Sequence, residues 1–224
     1  SACGSADLLE ALGVNISLTP QQVSECIRKT GIGFMFAPGF HAAMKYAIGP
    51  RREMKIRTVF NILGPLTNPA GVRRQVMGVF SEALVEPIAG VLLKLEAEDA
   101  MVVHGHGGVD EIGISGPSTV ARVKEGEIKV TRIAPEDFGI ERAPLDAIKG
   151  GDAEENKRIT IDLLEGRTKG PVRDVVLLNA AAAVIVGGKA EGFKEGLERA
   201  ADSVDSGKAR EVLATLVEVS SGFK

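Results

Sequence analysis

The chain has 224 residues, 44% of them hydrophobic and 25% charged, a composition that suits a folded globular core and excludes a disordered chain. Its net charge of −3 gives no bulk attraction for nucleic acid, so any basic site must be local. Two cysteines, Cys3 and Cys26, make neither a disulfide framework nor a metal signature.

"GSADLLEALGVNI" predicts a first helix: Ser5 stands as its cap, Leu8, Leu9 and Leu12 share a face, and Gly13 stops it. "SLTPQQVSECIRKTG" repeats the grammar, with Thr19 as cap, Pro20 at the first helical position, Val23 and Ile27 inward and Gly31 as stop. The short apolar run "IGFMFAP", ended by Pro38, predicts a buried strand, and "GFHAAMKYAIG" a helical segment. "PRREMKIRTVFNILGPLTNPAG" starts basic, turns apolar and closes on Pro65 and Pro69, which predicts a helix and then a stiff loop. A strand from Arg73 to Ser81 leads into the amphipathic helix "EALVEPIAGVLLKLEAE", and "DAMVVHG" is a second strand. Short β runs follow, with a hairpin turn at Glu125 to Glu127. Beyond Asp152 the pattern is helical, over Glu154 to Leu164, Val172 to Gly187, Ala190 to Ser203 and Ser206 to Val219. The apolar run "VVLLNAAAAVIVGG" is too short for a bilayer and holds Asn179, so it reads as a buried helix rather than a membrane span. The first twenty residues carry Asp7 and Glu10 and lack the basic start of a secretory leader, so a cytoplasmic location is expected. Strands alternating with long helices predict an α/β fold with a mainly parallel central sheet flanked by helices.

Chemistry concentrates in a few stretches. In "VVHGHGGVDEIG", Asp110 and Glu111 are adjacent, and neighbours in a regular strand point to opposite faces. They can share a ligand only if the backbone leaves the strand, which Gly105, Gly107 and Gly108 permit. Two hard carboxylates suit Mg²⁺, above all Mg²⁺ that carries phosphate oxygens; a solvated turn is the other reading. His104 and His106 share a face in an unbroken strand, but no third ligand at a recognisable spacing makes them a zinc site. Arg51, Arg52, Lys55 and Arg57 form a basic cluster that would suit a carboxylate-bearing substrate or a solvated helix face. "FNILGPLTNPAG" is a shaped, rigid loop in which Gly64 admits a close ligand and Asn61 and Asn68 could cap or bind. "GSAD" at a helix N-terminus could hold a phosphate or be an ordinary cap.

Taken in order, "GSADLLEALGV", "FMFAPGFHAAMK", "RREMKIRTVFNILGPLTNPAG", "VMGVFS", "VVHGHGGVDEI" and "LLNAAAAVIVGG" resemble the anthranilate phosphoribosyltransferases, and "RTVFNILGPLTNPA" is the most specific of them. The resemblance implies transfer of the phosphoribosyl group of phosphoribosyl diphosphate to the amine of anthranilate, with Mg²⁺, in tryptophan biosynthesis. It also implies a large α/β domain beside a small helical domain, with the active site between them, and commonly a homodimer. Residues 17–66 would then contribute helices next to the helical domain, and residues 71–224 the α/β core. By the same resemblance Asp110 and Glu111 match the Mg²⁺-binding pair, Ser5 a contact to the phosphoribosyl donor, and Ser1 the tail of a phosphate-binding loop. Arg51 matches the arginine that holds the anthranilate carboxylate, and His41, Gly64 and Pro65 line the anthranilate channel. No residue is assigned as a catalytic acid or base, since an aromatic amine is nucleophilic without prior deprotonation. The family's Gly-rich diphosphate loop and a Lys-His-Gly-Asn stretch precede "GSAD", and the chain starts at Ser1 without them. The expectation is therefore the C-terminal two-thirds of such an enzyme, weakly active or inactive as an isolated chain. A pyrimidine nucleoside phosphorylase-like enzyme and a non-catalytic nucleic-acid-binding relative are the competing readings, disfavoured by "FNILGPLTNPAG" and by the net acidity respectively.

Overall fold

The computed structural model describes residues 3–40 and 60–223, with the backbone alone for 60–62. The chain divides into two compact units, one of Ser1–Gly64, Gly150–Arg167 and Val204–Lys224, the other of Pro65–Lys149 and Thr168–Ser203.

The described part of the first unit is helical. Helix α1 (Ser5–Ala11) is capped by Gly4, whose N–H donates to the Asp7 carboxylate at 2.8 Å. The cap therefore lies one residue before the expected Ser5, because an acid in the first turn reaches back to the free amide. Helix α2 (Pro20–Thr30) has a reciprocal cap: the Gln22 N–H donates to Thr19 Oγ1 at 3.3 Å, and the Thr19 N–H to Gln22 Oε1 at 2.8 Å. Gly31 closes α2 in the left-handed conformation at φ 79°. The buried face of α2 runs through Val23 and Cys26, while Ile27, expected inward, is 46% exposed. Val14, Ile16 and Leu18 meet those two residues and Leu216 of helix α9 (Lys208–Ser221) in one apolar core. The Asn15 N–H donates to Ser220 Oγ at 3.1 Å and ties the α1–α2 connection to the end of α9. Phe34, Met35 and Phe36 pack on this core without strand pairing, so the strand expected at "IGFMFAP" is not formed. Helix α3 (Ala37–Phe40) begins there instead, and the remainder of "GFHAAMKYAIG" lies outside the described residues. Helix α4 (Phe60–Leu66) holds Pro65 inside it, so the stiff loop starts later than expected. Its turn is set by Asn68, whose Oδ1 accepts the Ala70 N–H at 2.9 Å and whose carbonyl accepts the Gly71 N–H at 3.0 Å. Helix α6 (Ala153–Leu164) starts on Asp152, whose carboxylate accepts the Glu155 N–H at 2.9 Å.

The second unit is a four-stranded sheet with helices packed on it, in the order β1 (Arg74–Gly78), β2 (Asp99–His104), β3 (Ser118–Lys124), β4 (Glu127–Ile133). The α/β class with flanking helices holds, and the expected parallel pairing is present between β1 and β2. The β2–β3 and β3–β4 ladders of this described sheet are antiparallel. The last follows from the two-residue turn Glu125–Gly126, both at positive φ (54° and 81°), which is the geometry that matches strand twist. Helix α5 (Val85–Lys94) follows β1 through a 3₁₀ turn at Glu82–Leu84 and packs on β2, β3 and β4. On β2 every residue before His104 is buried, as a strand covered on both faces requires. Met101 and Val103 join Ile112, Ile114 and Val120 in a core closed by Val175, Leu178, Ala182 and Ile185 of helix α7 (Pro171–Val186). Phe193 and Leu197 of helix α8 (Phe193–Asp205) pack at its margin. At the start of β2 the buried Asp99 receives both arms of Arg122, at 2.9 and 2.7 Å, a pairing that compensates its loss of water.

Candidate active site

Beyond His104 the chain leaves the sheet in a tight excursion. Gly105 bridges back to Val109, its N–H donating to the Val109 carbonyl at 2.9 Å, and Gly107 and Gly108 take φ of 82° and 85°. Those two positions need glycine, because a side chain there would be strained. The excursion, which the glycines permit, delivers Asp110 and Glu111 outside the end of β2, both exposed.

The backbone under the two acids is held on three sides. A Cβ on Gly78, the last residue of β1, would lie 1.5 Å from the Asp110 carbonyl oxygen, so only glycine lets the loop lie against that strand end. A Cβ on Gly105 would lie 2.5 Å from the Glu111 carbonyl oxygen. From α7, Asn179 grips the next residue: the Ile112 N–H donates to Asn179 Oδ1 at 2.9 Å, and Asn179 Nδ2 donates to the Ile112 carbonyl at 2.8 Å. One further turn of the clamp is the Gly113 N–H, which donates to the buried Ser118 Oγ at 3.0 Å.

Glu111 is exposed, but the protein around it removes enough water to raise its pKa from the ordinary carboxylate value. The negative charge of Asp110 adds to that shift. A cation between the two carboxylates would relieve both effects. Among the described residues no cluster of three metal-binding side chains exists; a hard cation at the two carboxylates would take further oxygens from water or phosphate. Two hard carboxylates are the type of donor that Mg²⁺ takes alongside phosphate oxygens.

The histidines serve elsewhere. His104 Nδ1 lies 2.8 Å from the Val79 carbonyl, and the His106 ring lies over Gly116, where a Cβ would come within 2.7 Å of it. Next to His104 on the sheet pairing, Thr119 donates its hydroxyl to Glu82 at 2.7 Å, and Arg132 stands 3.4 Å from the same carboxylate. The Thr119 bond, then the Arg132 charge, lower the pKa of Glu82.

The other residues singled out in the sequence fall in different places. Ser5 is exposed in the first turn of α1, in the helical unit. Gly64 and Pro65 are consecutive in α4; no atom of the described residues stands where a side chain on Gly64 would be, and Pro65 is exposed. Ser1, His41 and Arg51 lie outside the described residues, as do Arg52, Lys55 and Arg57. Two contributors to the site escape sequence reasoning. Asn179 left one trace, a lone amide in an apolar helix, and Gly78 left none, since its need arises only when the loop folds back on β1.

A family model described as "Glycosyl transferase family, a/b domain" matches residues 1–210. The anthranilate phosphoribosyltransferase of Geobacter sp. (strain M21) is 53% identical over 221 residues, covering 99% of this chain and 62% of that protein. The enzyme of the same name from Rhodopseudomonas palustris (strain HaA2) is 55% identical over 222 residues, covering 99% of this chain and 65% of that protein. Among solved structures, anthranilate phosphoribosyltransferase from Thermus thermophilus superposes with a TM-score of 0.91 at 44% identity, over 98% of this chain and 65% of the other. The Saccharomyces cerevisiae enzyme in complex with PRPP and Mg gives 0.90 at 28% identity, over 99% of this chain and 64% of the other. The chain thus spans a little under two thirds of these relatives. A match that runs through both units and takes in the acidic loop settles its kinship: the chain belongs to the glycosyl transferase family defined by this α/β domain.

Proposed function

We propose that the protein carrying this chain transfers the phosphoribosyl group of phosphoribosyl diphosphate to anthranilate. The observation that carries the reading is the acidic pair, held by its backbone outside a strand end, in a chain 53% identical to an enzyme of that name. A Saccharomyces cerevisiae relative in complex with PRPP and Mg, and another structure of it with 4-fluoroanthranilate, support the choice of donor and acceptor.

In the reaction the bond from the ribose anomeric carbon to the diphosphate oxygen breaks, a bond to the anthranilate nitrogen forms, and the amine gives up one proton to water or to the departing diphosphate. Such a displacement needs positioning and charge neutralisation more than a strong base. Mg²⁺, when bound, supplies charge neutralisation on the departing diphosphate. Asp110 and Glu111 are the residues that hold it. Ser5, at the start of α1, contacts the donor, and Ser1 belongs to the phosphate-binding segment. Arg51 forks the anthranilate carboxylate and presents the amine, while His41, Gly64 and Pro65 line the path of the aromatic ring. No side chain is required as acid or base. A homodimer in the cytoplasm is the state in which we place the protein.

The reaction is followed by the loss of anthranilate fluorescence with phosphoribosyl diphosphate and MgCl₂, using the whole protein that contains these 224 residues. Turnover is expected, and the double substitution Asp110→Asn, Glu111→Gln should lower it by about 100-fold or more. No turnover in the unaltered protein, or unchanged turnover in the double variant, overturns the reading. Arg51→Ala should raise the Michaelis constant for anthranilate far more than that for the donor; equal constants remove Arg51 from the carboxylate role.

A further inference from the structure

We infer that Asn179 is a positioning residue for the acidic pair: it sets the affinity of the Asp110–Glu111 site for a divalent cation without touching the ion. The inference rests on the metal role proposed for those two acids. It starts from a feature that helix packing alone does not require. Asn179 sits within the apolar stretch of α7, between Leu178 and Ala180, where a hydrocarbon side chain would be the ordinary choice.

Its amide has both of its faces engaged. Oδ1 accepts the Ile112 N–H at 2.9 Å and Nδ2 donates to the Ile112 carbonyl at 2.8 Å, so one side chain reads one residue as a neighbouring strand would. Nδ2 also donates to the Val175 carbonyl one turn back along α7, at 2.9 Å, which fixes the amide plane and hence its orientation. Ile112 itself is 1% exposed, so its backbone groups have little access to water and depend on this partner. The residue gripped is the one directly after Glu111. With Gly78 limiting the loop at Asp110, the two acids are held between fixed points one residue to either side of Glu111. Aspartate cannot replace the amide, because its two oxygens would accept the Ile112 N–H and face the carbonyl without a hydrogen to share. Alanine leaves both backbone groups without a partner.

Supporting groups of this kind typically alter metal affinity by about 10- to 100-fold. The test uses the whole protein and Mn²⁺ as the probe, titrated by water-proton relaxation in the presence of inorganic diphosphate. The Asn179→Asp and Asn179→Ala variants are compared with the unaltered protein and with Ser118→Ala, which loosens Gly113 rather than Ile112. Amide hydrogen exchange at Ile112 and thermal unfolding are measured on the same samples. The expected result is a loss of Mn²⁺ affinity of about 10-fold in both Asn179 variants, with faster exchange at Ile112. In activity assays the apparent constant for Mg²⁺ should rise by a like factor while the Michaelis constant for anthranilate stays within about twofold, a split that general loosening of the fold would not give. Unchanged Mn²⁺ affinity in a folded Asn179→Asp protein overturns the inference, whatever the activity. If Asn179→Ala does not fold, Asn179→Asp, which keeps the size and one hydrogen bond, decides alone. An unaltered protein that binds Mn²⁺ no better than the Asp110→Asn, Glu111→Gln variant fails the metal reading first and takes this inference with it. A protein that binds Mn²⁺ at the pair but turns over no anthranilate fails only the choice of reaction.

Discussion

Gly78 ends β1 without a side chain, and the Asp110 carbonyl occupies the place a methyl group would fill. The contact is with backbone, so no rotamer change can make room. Gly78→Ala should therefore push the acidic loop outward and cost on the order of 1–3 kcal/mol, the usual range for overpacking. Urea unfolding measures the loss, and amide chemical shifts from Asp110 to Ile112 report the displacement; a variant that matches the unaltered protein in both contradicts the close approach. The same scale explains why the site was only partly legible in the sequence. Adjacent acids after three glycines announce a turn with two carboxylates, and the structure has that turn with both acids exposed. The residues that hold the turn, Gly78 and Asn179, stand 32 positions before Asp110 and 67 after Ile112, and no local pattern links them. Only the folded sheet brings such distant points together.

Elements with local grammar were the most readable. Thr19, Pro20 and Gly31 mark both ends of α2, and each plays the part its chemistry suggests. Thr19→Ala should remove half of that reciprocal cap and lower stability by about 1 kcal/mol, read as a shift in the urea midpoint. The β3–β4 hairpin was legible from "EGE", and its turn carries a correctable flaw. Glu125 takes a φ of 54°, which asparagine tolerates better than glutamate. Glu125→Asn should raise stability by about 0.5–1 kcal/mol, measured in the same way. Where grammar was thin, expectation and structure part. "IGFMFAP" has the composition of a strand, but Phe34 and Phe36 stack on each other, ring centroids 6.4 Å apart, and pack on a helical core. An apolar run of that length states that it is buried, not what it pairs with.

Across the molecule the two units carry separate apolar cores, and two titrating groups of the helical unit, Cys26 and Glu25, bear on its stability at opposite ends of the pH scale. Cys26 is fully buried in the helical unit, and burial, more than the nearby Glu25 charge, raises its pKa above the ordinary thiol value. The folded chain then keeps a proton that the unfolded chain releases. Stability from this group is complete below the unfolded pKa of about 8.5 and declines as the pH rises beyond it. As the pH rises beyond about 8.5, the urea midpoint should fall more steeply in the unaltered protein than in Cys26→Ala. Parallel slopes would show that Cys26 contributes nothing to alkaline loss of stability. Glu25 works at the other end of the scale. Its hydrogen bond to Arg28, then that to Lys29, hold it at about 2, so its contribution is present above the ordinary carboxylate pKa and lost as the pH falls towards 2. Apolar helix faces in both units were visible in the sequence as periodicity. The division between them was less so, because the first unit gathers three separate segments of chain, and contacts between distant segments leave no periodic mark.

The fixed backbone beneath Asp110 and Glu111 has a thermodynamic consequence. A loop that had to order itself around a cation would lose chain entropy at each encounter, and affinity would fall accordingly. Here that entropy is lost once, when β1 and α7 close on the loop during folding. If the two acids take up a cation as proposed, capture at this strand end would be left with the desolvation of two carboxylates as its main cost.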